Sequence, residues 1–88
     1  MIKQKIQPLS STPVELSYTG LIDPHAVLSI QNIMSSGYAY LGNENVSSEN
    51  YGHKLYPGQS FSIEMAPSDQ LFAVGDSGVS VAIFTLDM

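Results

Sequence analysis

Short apolar/polar alternations separated by dense turn signals predict an all-β protein, a small antiparallel β-sandwich or jelly-roll-like domain. Three observations carry this expectation. Apolar positions recur with a period of two, most cleanly where Phe61, Ile63 and Met65 alternate with Ser60, Ser62 and Glu64. Turns rich in Pro, Gly, Asn, Asp and Ser break the alternation at the short spacing, about 8–12 residues, of all-β domains. No window holds a 3.6-residue period. About seven or eight short strands are expected, with no helix longer than a turn or two.

Taken in order, Ile2, Gln4 and Ile6 alternate with Lys3, Lys5 and Gln7, the pattern of a first strand or an extended arm. Residues 8–13, Pro-Leu-Ser-Ser-Thr-Pro, cannot donate fully to a ladder and read as a linker. Residues 1–13 are therefore expected to form an extended N-terminal arm with its linker, and 14–88 a single sandwich domain. The arm would add a strand to a neighbour's sheet edge, which makes Ile2, Gln4 and Ile6 the candidate partner contacts.

Val14, Leu16 and Tyr18 share a face of the next strand, and Thr19-Gly20 and Asp23-Pro24 punctuate the loop after it. Ala26, Leu28 and Ile30 alternate with Ser29 and Gln31 up to a turn at Ser35-Ser36-Gly37. Residues 38–41 form a short strand, apolar on both faces. Residues 42–52 are the longest polar stretch, a loop with Val46 as its anchor. Tyr56-Pro57-Gly58-Gln59 places Pro and Gly at the two centres of a type II turn, where Pro presets φ and Gly accepts φ > 0. After the strand of Phe61, Ile63 and Met65 come a turn at 66–69, a strand at 71–74 and a turn at Asp76-Ser77-Gly78. The last strand, 79–86, is apolar on both faces, so it should lie centrally in a sheet or face a neighbouring subunit. Leu28, Ile30, Phe61, Ile63 and Met65 are the expected core.

The 88 residues suffice for one domain with a modest core, and without Cys no disulfide supplements it. Self-association is a common remaining stabiliser for so small a β domain. Three Lys, no Arg and eight acidic residues give a net charge of −5, which disfavours nucleic acid and anionic membrane surfaces as partners. No run approaches the ~20 apolar residues of a membrane span. Lys3, Gln4, Lys5 and Gln7 interrupt any signal-peptide core, so the chain is expected to be made and used without Sec export.

Chemistry-bearing motifs are weak. Gly75-Asp76-Ser77-Gly78 matches the nucleophile tetrapeptide of chymotrypsin-like proteases, but Val79-Ser80 stands where that family has Gly-Pro. His25 and His53 also lack that family's context; a turn explains the phrase better, and no catalytic residue is expected. With no His-x-His pair and no Cys, neither a metal site nor a cofactor is expected. Asn43, Glu44, Asn45 and Glu49 lack the spacing of a calcium loop. Tyr38, Tyr40, Tyr51 and Tyr56 surround the polar loop, as packing residues with rim hydroxyls or as the lining of a ligand pocket.

The ordered phrases Ile30-Gln31-Asn32, Ala39-Tyr40-Leu41-Gly42, Val46-Ser47 with Asn50-Tyr51-Gly52, and Leu55-Tyr56-Pro57-Gly58-Gln59-Ser60 carry a resemblance. With Ser68-Asp69, Leu71-Phe72-Ala73-Val74 and Val79-Ser80-Val81, they resemble a group of small all-β virion proteins of tailed bacteriophages, over about two thirds of the chain. The resemblance implies a non-enzymatic virion structural protein made in the host cytoplasm. It would serve as capsid decoration or cement that binds the major capsid protein and self-associates as a homotrimer. A receptor- or carbohydrate-binding module of a head or tail fibre, or a connector or tail component, is the alternative. No site residue carries over, because the pattern has none.

Overall fold

Strand pairing follows a single rule. In the computed structural model, which describes residues 2–16, 26–65 and 69–87, eight strands run in order. They are β1 (Ile2–Pro8), β2 (Val14–Glu15), β3 (Ala26–Asn32), β4 (Ala39–Gly42), β5 (His53–Leu55), β6 (Ser60–Met65), β7 (Phe72–Gly75) and β8 (Ser80–Asp87). First pairs with last, second with seventh, third with sixth and fourth with fifth, all antiparallel. Rolling this long hairpin up adds the β3–β8 and β4–β7 pairs. Two four-stranded sheets result, β1-β8-β3-β6 and β2-β7-β4-β5, the strand order of a jelly roll. The all-β expectation holds, and the described residues contain no helix.

Alternation decides what each sheet buries. Leu28 and Ile30 of β3 point inward with Val81 and Ile83 of β8 and meet Leu41, Leu55 and Ala73 of the second sheet. Leu16, just past β2, is fully buried among them. Of the expected core, Leu28, Ile30 and Met65 are buried, whereas Phe61 and Ile63 are half-buried at its margin. The physical reason is position. β6 is an edge strand, and the facing edge strand, β5, is only three residues long. The Phe61 ring instead stacks on His53, with centroids 4.5 Å apart.

Asn32 is the fully buried polar residue that ties the layers together. Its Nδ2 donates to the carbonyls of Gly37 and Leu55, and its Oδ1 accepts from the Met34 amide, all at 3.1 Å. Its backbone completes the knot, with the amide donating to Gln59 O and the carbonyl accepting from Gly58 N. The turn at 56–59 is type II as expected: Gln59 N donates to Tyr56 O at 2.9 Å, and Gly58 has φ 81°. The turn at 76–79 repeats this geometry, with Val79 N donating to Asp76 O and Gly78 at φ 82°.

The largest departure from expectation is the N-terminal segment. Residues 2–8 are not a separate arm but an edge strand, paired with β8 from Ile2↔Leu86 to Pro8↔Ser80. The linker after it is packed rather than loose. Leu9 is buried in the core, its amide donates to Val79 O, and Ser10 O accepts from Gly75 N. That anchor holds the chain beside the start of β8, the neighbour that β1 pairs with. The Cα radius of gyration, 12.1 Å, equals the roughly 12 Å expected of one compact domain of this length.

Candidate interaction surface

Residues directly opposite in an antiparallel ladder share a face. On β8, Val81, Ile83 and Thr85 are buried, so Ala82, Phe84 and Leu86 point outward. Register puts Gln4 beside Phe84 and Ile6 beside Ala82 on that outer face. From β3, Val27, Ser29 and Gln31 join the same rows. Ile6 is 59% exposed, Phe84 43% and Leu86 39%. The outer face of the first sheet therefore carries an apolar stripe along β1 and β8. It grades into polar residues toward β6, where the Ser29 and Ser62 hydroxyls share a hydrogen bond of 2.8 Å.

The pattern of β1 is inverted relative to the core. Lys5 and Gln7 stand opposite Ile83 and Val81, on the side that faces the second sheet, while Ile6 stands on the solvent side. Strand β2, only two residues long, leaves that inner side little covered. Ordinary one-sided sheets put apolar residues inward and polar residues outward. Here the outer side of β1 holds Ile6, the outer side of β8 adds Ala82, Phe84 and Leu86 to an inner side that is also apolar, and clefts of about 420 and 230 Å³ flank Phe84. Of the candidate contacts, Gln4 and Ile6 thus lie in this stripe, and Ile2 is paired through its backbone with Leu86. Ala82, Phe84 and Leu86 were not singled out by sequence reasoning. The signal was the doubly apolar last strand, which is central in its sheet as expected, yet whose outer face is also uncovered.

The outer face of the second sheet is covered by its own loop. Val46 anchors residues 43–50 as expected, buried against Tyr40 and Val74. The loop's polar side chains hold the loop itself: Asn43 Oδ1 accepts from Asn45 N, and Ser47 Oγ accepts from the amides of Glu49 and Asn50. Beside the loop, the Lys54 ammonium lies 4.2 Å from the Tyr38 ring centre, 5.2 Å from that of Tyr56 and 5.8 Å from that of Tyr40. Tyr40 and Tyr51 pack with centroids 5.1 Å apart. The tyrosines thus surround the chain's own cation in a cation–π cluster.

Ser77 sits exposed on the 76–79 turn, and Asp76 is committed elsewhere: its Oδ2 accepts from Tyr38 N at 2.9 Å. His25 lies outside the described residues, as does Tyr18. His53 is exposed and belongs to β5. Among the described residues, no three His, Cys, Asp or Glu side chains gather into a metal-binding group.

No protein-family model matches the sequence, and no curated protein matches it. The fold does have a counterpart among solved structures, in a Bacillus protein of the endospore appendages, a family of disulfide-linked pili. The match has a TM-score of 0.61 at 12% identity, over all of this chain and 86% of the pilus chain. At that identity the likeness is one of fold. Disulfide linkage has no counterpart here, because this sequence contains no Cys.

Proposed function

We propose that this chain is a non-enzymatic structural subunit of a virus particle. In this reading it decorates or cements the capsid through the outer face of its first sheet. The observation that carries the proposal is the inverted pattern of β1 and the apolar stripe of Ile6, Phe84 and Leu86 beside it. A strand that turns its apolar side away from its own core gains only if something else covers it. Burying the remaining exposed parts of these three side chains contributes roughly 3 kcal/mol in total. That is weak in dilute solution, where a millimolar Kd already corresponds to about 4 kcal/mol. It becomes effective when many subunits bind side by side on a shell.

The face is favoured over the edge as the contact. The open edge of β1 carries Lys5 and Pro8, two residue types that block edge-to-edge strand pairing. The partners proposed are further copies of this chain, as the homotrimer implied by the resemblance, and the major capsid protein. The ordered phrases from Ile30 to Val81 support the virion setting. The pilus protein, on a similar fold, belongs to a family of disulfide-linked pili, which supports a structural role in general terms.

Quantitative mass spectrometry of purified particles of the encoding virus tests this. A copy number comparable to that of the major capsid protein is expected. A handful of copies would assign the chain to a tail or connector instead, and absence from the particle would refute the reading.

A further inference from the structure

Of the four sheet edges, β6 alone is both long and unguarded among the described residues. Strand β1 carries Lys5 and Pro8, β2 has two residues and β5 three, whereas β6 runs for six residues with neither Pro nor Lys. Register fixes which backbone groups that edge offers. Asn32 N donates to Gln59 O, and hydrogen-bonded pairs recur at every second residue of an antiparallel ladder. Phe61 and Ile63 therefore bond to β3, while Ser60 and Ser62 turn their N–H and C=O groups toward the open edge. Beneath that edge a groove of about 250 Å³ runs between β6 and the short β5. Its accessible apolar surface is that of Phe61 and Ile63, both half-buried, and Leu41 and Leu71 close its base. We propose that β6 and this groove receive an extended strand of a partner protein, with apolar side chains at alternate positions and a basic residue opposite Glu64.

The backbone row selects an extended polypeptide, because a strand presents donors and acceptors at the matching spacing. Alternation then assigns the side chains. Residues opposite Phe61 and Ile63 fall on the inner face, in non-hydrogen-bonded pairs whose side chains lie closest. Val or Ile there would cover both half-buried residues and fill the gap that the short β5 leaves at the margin of the core. Residues opposite Ser60, Ser62 and Glu64 fall on the outer face, where the serines suit Thr and the carboxylate suits Lys or Arg. Charge favours a different protein over a second copy. Glu64 adjoins Ile63, and Asp69 stands two residues before Leu71, so that end of the groove is acidic on a chain of net charge −5. A basic strand is attracted there, and a further copy is repelled. The contact goes beyond the proposed function. It lies at the opposite edge of the first sheet from β1 and leaves the apolar stripe free for assembly.

The peptide Lys-Val-Thr-Ile-Thr, blocked at both ends, places Lys opposite Glu64 and its Val and Ile opposite Ile63 and Phe61 when it adds antiparallel. Proton–nitrogen NMR titration of the full chain with this peptide, up to millimolar concentration, tests the proposal. Saturable shifts are expected at the amides of residues 60–63 and of His53, with slowed hydrogen exchange at the Ser62 amide. The same peptide N-methylated at its central Thr lacks the donor that faces Ser62 and should bind at least tenfold more weakly. With Glu in place of Lys, the peptide should lose about threefold or more. Ser62→Pro removes the outward N–H and no bond to β3, so it should bind at least tenfold more weakly than Ser62→Ala, with the spectrum of each variant reporting its fold. No saturable shift, shifts confined to other residues, or equal binding of the N-methylated or the Glu peptide would overturn the proposal. So would shifts at the same amides when the chain alone is concentrated, at lower concentration than the peptide needs, which would identify a second copy as the occupant.

Discussion

Asn32 illustrates how one side chain can hold a loop, a strand and a turn at once. Its amide serves Gly37, Leu55 and Met34, and its backbone serves Gly58 and Gln59. Asn32→Ala leaves those buried groups without partners and should cost about 2–4 kcal/mol in urea unfolding. Thr85 is the opposite case. It is buried on the inner face of β8, and its hydroxyl has no hydrogen-bond partner among the described residues. Thr85→Val keeps the shape and removes the unsatisfied group, so it should raise stability by about 1 kcal/mol; a decrease would mean that the hydroxyl is bonded in solution. For Phe61, half-buried at the margin, truncation to Ala should cost about 1–2 kcal/mol, less than the roughly 3–5 of a fully buried Phe. Ile30→Ala, at the centre of the core, should cost about 2–5 kcal/mol.

Strands and turns were legible to the degree that local chemistry decides them. The type II turn at Tyr56-Pro57-Gly58-Gln59 follows from Pro and Gly alone, and Val46 stood out as the one apolar residue in a polar loop. Gly78 adopts φ 82° in the matching turn, so Gly78→Ala should cost about 1 kcal/mol or more, read from the same unfolding curves. What local chemistry could not decide was where β1 goes. Pro8 and Pro13 argued for a detached arm, yet Leu9 between them is buried and pins the strand to β8. Pairing partners are non-local, and a two-faced strand such as β8 does not reveal which side will be covered. For that reason Gln4 and Ile6 could be chosen from alternation, while Phe84 and Leu86 emerged as their neighbours only from the register.

At the scale of the whole molecule, period-two patterning gave the all-β class, but the jelly-roll order arises from pairings between distant segments that no window contains. The two outer faces then differ in chemistry. One is an apolar stripe on β1 and β8, and the other is a tyrosine- and serine-lined surface folded under its own loop. The central claim is that the first of these is the assembly surface. Sedimentation equilibrium of the intact chain, taken to millimolar concentration, tests it most directly when the wild type is compared with Phe84→Lys and with Tyr56→Lys on the other face. Concentration-dependent association is predicted for the wild type and for Tyr56→Lys, weakened at least tenfold in Phe84→Lys. A wild-type chain that stays monomeric throughout, or a Phe84→Lys variant that associates as strongly as the wild type, would contradict the account.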